Sequence, residues 1–266
     1  MSAQFAVMGN PIAHSVSPVI HHYFAKQTGI ALTYEKILVP EGDFANRVSE
    51  FFSNGGRGLN ITLPFKQQAY ELALVKTPRC EQARAANTLW MADNKLHADN
   101  TDGIGLVRDL ARHLDLTNQH VLVLGAGGAA RGIIAPLLDA SIASLAVLNR
   151  TVVKAEALQV DFPEIVCVAS LSTEESYDLI INATSAGMNQ TQWTWRLGCS
   201  LSDSFCYDLS YSLHNATPFV RWASARGACS VDGLGMLVEQ AAESFLIWHG
   251  LLPQTLPVLA LLRTKK

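Results

Sequence analysis

Residues 121–132 read Val-Leu-Val-Leu-Gly-Ala-Gly-Gly-Ala-Ala-Arg-Gly, and this stretch leaves the chain little choice of local structure. Four consecutive apolar residues suit a short strand buried on both faces, as in the interior of a parallel sheet. Gly125, Gly127 and Gly128 then make a tight turn, and the alanine-rich run that follows opens a helix. Such a unit exposes backbone N–H groups at a helix N-terminus, where donors and helix dipole together hold a pyrophosphate. The third position of the dinucleotide fingerprint is Ala130, an accepted variant. Gly125, Ala126, Gly127, Gly128 and Ala129 are therefore cofactor-binding candidates.

The end of the next strand sharpens the expectation. Sites for NAD carry an acidic residue about 20 positions on, which holds the ribose 2′-hydroxyl. Here the strand over 144–148 runs into Asn149, Arg150 and Thr151, with Lys154 one turn later. A carboxylate repels a 2′-phosphate, whereas a guanidinium pairs with it, so this strand end predicts NADP.

Strand and helix patterns alternate along much of the chain, which implies an α/β protein with parallel sheets. Ser17-Pro18 opens a helix that Gly29 stops, and a long helix over 235–249 meets its stop at Gly250. In residues 58–69, Leu59, Ile61 and Leu63 alternate with Asn60 and Thr62 as a strand that breaks at Pro64, just before Lys66. With 266 residues the chain suits two modest domains, and the junction near 100–105 is the expected boundary.

Composition narrows the partners. Twenty basic and 23 acidic side chains leave a net charge of −3, so no nucleic-acid partner is expected. Cys80, Cys167, Cys199, Cys206 and Cys229 are odd in number, with no Cys-x-x-Cys pair, which favours a reduced, cytoplasmic setting and no metal. No export signal opens the sequence, and Pro136, Asp139, His249, Pro253 and Pro257 interrupt its most apolar runs, so no membrane is expected either.

Polar groups collect where strands end in the first half: Ser15 and Ser17, Thr62 and Lys66, Asn87, then Asn100, Thr101 and Asp102. Hydroxyls, amides, a lysine and a carboxylate together suit a small polyhydroxylated anion. The segments "GNPIAHSVSPVIH", "NITLPFK", "AANTL", "DNTDGIGLVRDL", "GAGGAARG", "NRT", "INATSAGM", "YDLSY", "TPF" and "DGLGMLVEQAAESFLIWHG" occur in the order found in shikimate dehydrogenases. From residue 9 to about residue 257 the chain resembles that family.

The resemblance implies a substrate domain of residues 1–101 plus 235–266, with the C-terminal helices returning to the first domain, and a Rossmann-type NADP-binding domain of residues 102–234. It implies the reversible NADPH-dependent reduction of 3-dehydroshikimate to shikimate, on the route to aromatic amino acids, with Lys66 as acid/base residue paired with Asp102. Ser15 and Ser17, with Tyr211, match groups on the substrate carboxylate; Thr62, Asn87, Asp102 and Gln240 match groups on its hydroxyls. Leu209, where methionine is frequent, and Gly233 match positions whose carbonyls meet the nicotinamide amide. Thr184 is expected to line the cofactor cleft. The expected partners are thus small molecules, and the chain is expected as a monomer or homodimer.

Residues 72–86 depart from the family pattern. Arg84 stands where glycine is usual before the Asn-Thr pair, a change that matters if the position requires positive φ. Two other readings compete: an NAD-using quinate/shikimate dehydrogenase, against which Arg150 argues, and a non-catalytic ligand sensor, which has no need of both Lys66 and Asp102.

Overall fold

A computed structural model describes residues 3–171, 175–184, 197 and 201–264. The chain divides into two compact units, Met1–Gly105 with Val238–Leu261, and Leu106–Leu237 with Leu262–Lys266.

In chain order the first unit contains β1 (Ala3–Gly9), α1 (Ser17–Thr28), β2 (Leu32–Leu38), α2 (Phe44–Ser53), β3 (Gly56–Ile61), α3 (Lys66–Leu72), β4 (Val75–Lys76), α4 (Pro78–Ala83), β5 (Thr88–Ala92) and β6 (Lys95–Asp99). Helix α5 (Asp102–Leu110) carries the chain into the second unit. There follow β7 (His120–Leu124), α6 (Gly128–Asp139), β8 (Ser144–Leu148), α7 (Val152–Asp161), β9 (Val166–Val168), β10 (Leu179–Asn182), β11 (Phe205–Asp208), α8 (Pro218–Ser224) and β12 (Cys229–Asp232). Helix α9 (Leu234–His249) leads back to the first unit, and α10 (Leu256–Thr264) ends the described chain. The chain thus passes from one unit to the other within α5, within α9 and again within α10.

The first sheet has the order β2-β1-β3-β5-β6-β4. Strands β1, β2 and β3 pair in parallel, as do β4 and β6, while β5 runs antiparallel to β3 and β6. Residues of β1 alternate between two cores: Ala6 and Met8 join Phe44, Val48 and Phe65 on one face, and Phe5 and Val7 join Ile12 and Tyr34 on the other. Helix α9 covers that second face, where Trp248 lies 4.9 Å from Phe5, ring centre to ring centre. His21 of α1 is fully buried there and stacks on Tyr34 at 4.2 Å. Leu63, which the alternation placed in the strand, is exposed, because β3 stops at Ile61.

The second sheet has the order β12-β11-β10-β7-β8-β9, all parallel. This is a doubly wound Rossmann sheet, with its switch point between β7 and β10. Val121 and Val123 enter one core and Leu122 and Leu124 the other, so β7 is buried on both sides. Local signals end the helices as expected: Gly29 after α1 and Gly250 after α9 both have φ of +71°.

Candidate active site

Helix α3 begins at Lys66, directly after the 62–65 turn. The positive end of a helix opposes a cation, and the Asp102 carboxylate, 2.6 Å from Lys66 Nζ, offsets that opposition. Asp102 is itself the first residue of α5, where the helix dipole favours a negative charge. The two side chains are 28% and 15% exposed, so the pair is sheltered yet open to a ligand.

Asn87 is the hub behind this pair. Its Nδ2 lies 2.9 Å from Asp102 Oδ1, 2.9 Å from Thr101 Oγ1 and 3.2 Å from Gln240 Oε1, while its Oδ1 accepts from the Thr101 backbone N–H and from Thr88 Oγ1, each at 2.9 Å. Lys66, Asp102, Asn87 and Gln240 are thereby brought together from four segments of one unit. Below them lies a polar floor that sequence reasoning missed. Asn60 donates to Ser244 Oγ at 3.0 Å, Ser244 meets Thr88 at 2.8 Å, and Tyr34 donates to Asn60 at 2.7 Å. One signal was available, since Ser244 stands four residues after Gln240 and so on the same helix face.

Ser15 and Ser17 face one another, with their hydroxyl oxygens 3.2 Å apart. Thr62 presses its methyl group against Gly9 and has no side-chain hydrogen bond among the described residues. Its hydroxyl is not tied into the Asn87 cluster. Tyr211 is half-buried after β11, in the second unit.

The cofactor candidates gather at the carboxyl ends of the second sheet. Gly125 has a φ of +107°, and its N–H donates to Leu148 O at 2.8 Å. A Cβ on Gly125 would stand 2.9 Å from Thr184 Cγ2, which places Thr184 against the turn. Gly127 precedes the first turn of α6, and with Gly128 and Ala129 it is exposed, whereas Ala126 is half-buried. The exposed N–H groups at this helix start fit a pyrophosphate. Asn149 holds the strand end by donating to Thr151 O at 2.8 Å. Thr151 precedes α7 without its side chain capping the helix, and among the described residues neither Arg150 nor Lys154 has an ion-pair partner. These groups fit a 2′-phosphate.

Leu209 and Gly233 lie side by side. A Cβ on Gly233 would stand 2.5 Å from Leu209 O, so only glycine lets the two backbones approach. The preceding Asp208 accepts from Thr217, Asn182 and the Ser210 N–H. Burial nevertheless raises its carboxyl to about 6. Residues 185–188 of the "INATSAGM" motif and Cys199 lie outside the described residues. Among the described residues no cluster of three His, Cys, Asp or Glu could hold a metal, and no helix is long and apolar enough to cross a membrane.

Arg84 has a φ of +46°, the left-handed conformation that glycine adopts freely. Arg84→Gly is expected to stabilise the fold by about 1 kcal/mol, measurable as a higher urea midpoint with an unchanged slope. No change, or a loss, would show that the arginine side chain repays the strain.

The family descriptions "Shikimate dehydrogenase substrate binding domain", "Shikimate / quinate 5-dehydrogenase" and "Shikimate 5'-dehydrogenase C-terminal domain" match residues 7–89, 108–192 and 233–263. A "Shikimate dehydrogenase (NADP(+))" of Legionella pneumophila (strain Lens) is 54% identical over 264 residues, covering 99% of this chain and 100% of the relative. The chain belongs to the shikimate dehydrogenase family. Solved structures agree. A crystal structure of shikimate 5-dehydrogenase from Thermus thermophilus in complex with NADP(H) and shikimate superposes with a TM-score of 0.85 at 32% identity, covering 98% of each chain. An Ael1 enzyme from Pseudomonas putida does so with 0.89 at 40% identity, again covering 98% of each.

Proposed function

We propose that the chain catalyses the reversible NADP-linked interconversion of shikimate and 3-dehydroshikimate, running toward shikimate in aromatic amino acid biosynthesis. It is an oxidoreductase acting on a CH–OH group, and its cofactor is NADP. The observation that carries the reading is the convergence of Lys66, Asp102, Asn87 and Gln240, with the Lys66–Asp102 pair at 2.6 Å. When bound, NADP+ supplies the acceptor for the hydride that leaves the alcohol carbon.

Lys66 takes the hydroxyl proton during oxidation and returns it to the carbonyl oxygen during reduction. Asp102 orients the ammonium and accepts from a neighbouring substrate hydroxyl. Asn87, held at both ends of its amide, offers a fixed contact, and Gln240 adds another. Ser15 and Ser17 bind the substrate carboxylate, with Thr62 on a ring hydroxyl and Tyr211 beside the carboxylate.

In the second unit, residues 125–129 would hold the pyrophosphate of NADP with Thr184 lining the cleft, Asn149, Arg150, Thr151 and Lys154 would hold the 2′-phosphate, and the carbonyls of Leu209 and Gly233 would meet the nicotinamide amide. Residues 1–101 with 235–266 act as the substrate domain, and 102–234 as the NADP domain. A reduced cytoplasmic setting suits the free thiols of Cys80, Cys167 and Cys229. Burial pushes the Cys80 thiol up to about 12, which makes it a poor nucleophile.

The test is NADPH formation with shikimate and NADP+, run beside shikimate with NAD+ and quinate with either cofactor. Activity confined to shikimate with NADP+ supports the reading; binding of both ligands without turnover favours a sensor. Arg150→Ala is expected to raise KM for NADP+ by about 10- to 100-fold and leave that for NAD+ within about twofold, as loss of a charge-assisted contact requires. An equal rise for both cofactors would remove Arg150 from the 2′-phosphate site.

A further inference from the structure

Residues 72–86 include a feature that the reaction scheme leaves unused. Arg79, in α4, donates from Nε to Asp99 Oδ1 at 2.8 Å and from one terminal nitrogen to Asp99 Oδ2 at 2.6 Å. The same terminal nitrogen lies 2.8 Å from Glu243 Oε1. Both carboxylates are buried, at 3% and 9% side-chain exposure, so a single guanidinium holds two negative charges that would otherwise repel.

Each carboxylate is attached to the candidate active site. Asp99 also accepts from Thr77 Oγ1 and from the Asn100 N–H, and its backbone oxygen accepts from the Asn87 N–H. Asn100 Oδ1 in turn accepts the Asp102 N–H at 3.1 Å, so the Asp99 carboxylate sets the turn that presents Asp102. Glu243 lies three residues after Gln240 in α9, on the same helix face.

We propose that Arg79 and Glu243 are positioning residues: their ion pair draws α9 onto the 99–102 turn and so sets Gln240 against Asn87 and Asp102. The inference rests on Gln240 being a substrate contact, as proposed above. Arg79 then acts on binding through two carboxylates, without touching the ligand. Glu243→Ala removes the tether of α9 nearest Gln240 while leaving the Arg79–Asp99 fork in place. It also leaves one carboxylate against one guanidinium, so the fold is retained.

The test is a double-mutant cycle on shikimate binding, read by calorimetry as a dissociation constant, with turnover followed in parallel. Glu243→Ala is expected to weaken binding about tenfold, the size of one modest hydrogen-bonding contact. Gln240→Ala weakens it at least as much, and Glu243→Ala added to Gln240→Ala has no further effect. Glu243→Gln, which keeps an acceptor for Arg79, restores most of the affinity; a role only in stability would lower the melting temperature of Glu243→Ala and move neither the cycle nor the rescue.

Effects that multiply, or binding untouched by Glu243→Ala, overturn the proposal. A wild-type chain that binds shikimate without turning it over overturns the proposed reaction instead and leaves the cycle readable. No binding by the wild type overturns both.

Discussion

Lys66→Ala is expected to lower turnover of shikimate by about 10²- to 10⁴-fold, the range that positioned acid–base groups supply, while KM moves by only about threefold. The split follows from the geometry. Asn87 is held by Thr88 and Thr101, and Gln240 by Thr101 and Asn87, so the binding contacts survive loss of the lysine. Lys66→Arg separates charge from proton transfer. A guanidinium can still pair with Asp102, but it does not release a proton at any pH an enzyme meets. Steady-state rates of NADPH formation for both variants decide the matter. Both should be crippled, and an arginine variant with more than about a tenth of wild-type turnover would reduce Lys66 to an electrostatic role.

Acid should destabilise the protein through His21. Its ring is buried against Tyr34, Phe24, Phe245 and Trp248, and among the described residues neither ring nitrogen has a hydrogen-bond partner. Burial, helped by repulsion from His249 and His22 and only partly offset by the nearby Asn60 amide, lowers its pKa from 6.5 to about 3. The folded state thus refuses a proton that the unfolded chain accepts below 6.5. Stability is full above that pH and falls by about 1.4 kcal/mol per unit as pH drops toward 3, roughly 2 kcal/mol by pH 5. His21→Phe keeps a ring on Tyr34 and removes the titration. Urea midpoints from pH 7 to 4 should be flatter for this variant, and parallel curves would place the acid sensitivity elsewhere.

Local features proved legible in the sequence. The turn after β7, the glycine stops of α1 and α9 and the Pro-led start of α1 each depend on residues within one turn of chain. The β5–β6 hairpin was equally local and went unread. Asp93 and Asn94, with φ of +50° and +57°, join it as a two-residue loop, and the Asp-Asn pair was its signature. Spans of 20 and 164 residues separate Arg79 from Asp99 and Glu243, so no window of sequence could show their meeting. Asn60 and Ser244 were hidden similarly, because a polar residue in a strand or helix pattern reads as a solvent face until the partner segment is known. The family resemblance named the residues around Lys66; their connection through Asn87 needed coordinates.

Helices α5 and α9 carry the chain out of the first unit and back, so the segments of the first unit leave the ribosome at two separate times. Residues 106–237, which include the whole second sheet, emerge as one uninterrupted piece and can condense as soon as they are made. The first unit, although begun earlier, waits for Phe245 and Trp248 to close over Phe5 and His21, and for Gln240 to reach Asn87. Until then only α1, through His21 on Tyr34, covers its second face. A nascent chain of this topology can therefore assemble its second sheet before its first unit closes, although that unit was begun earlier.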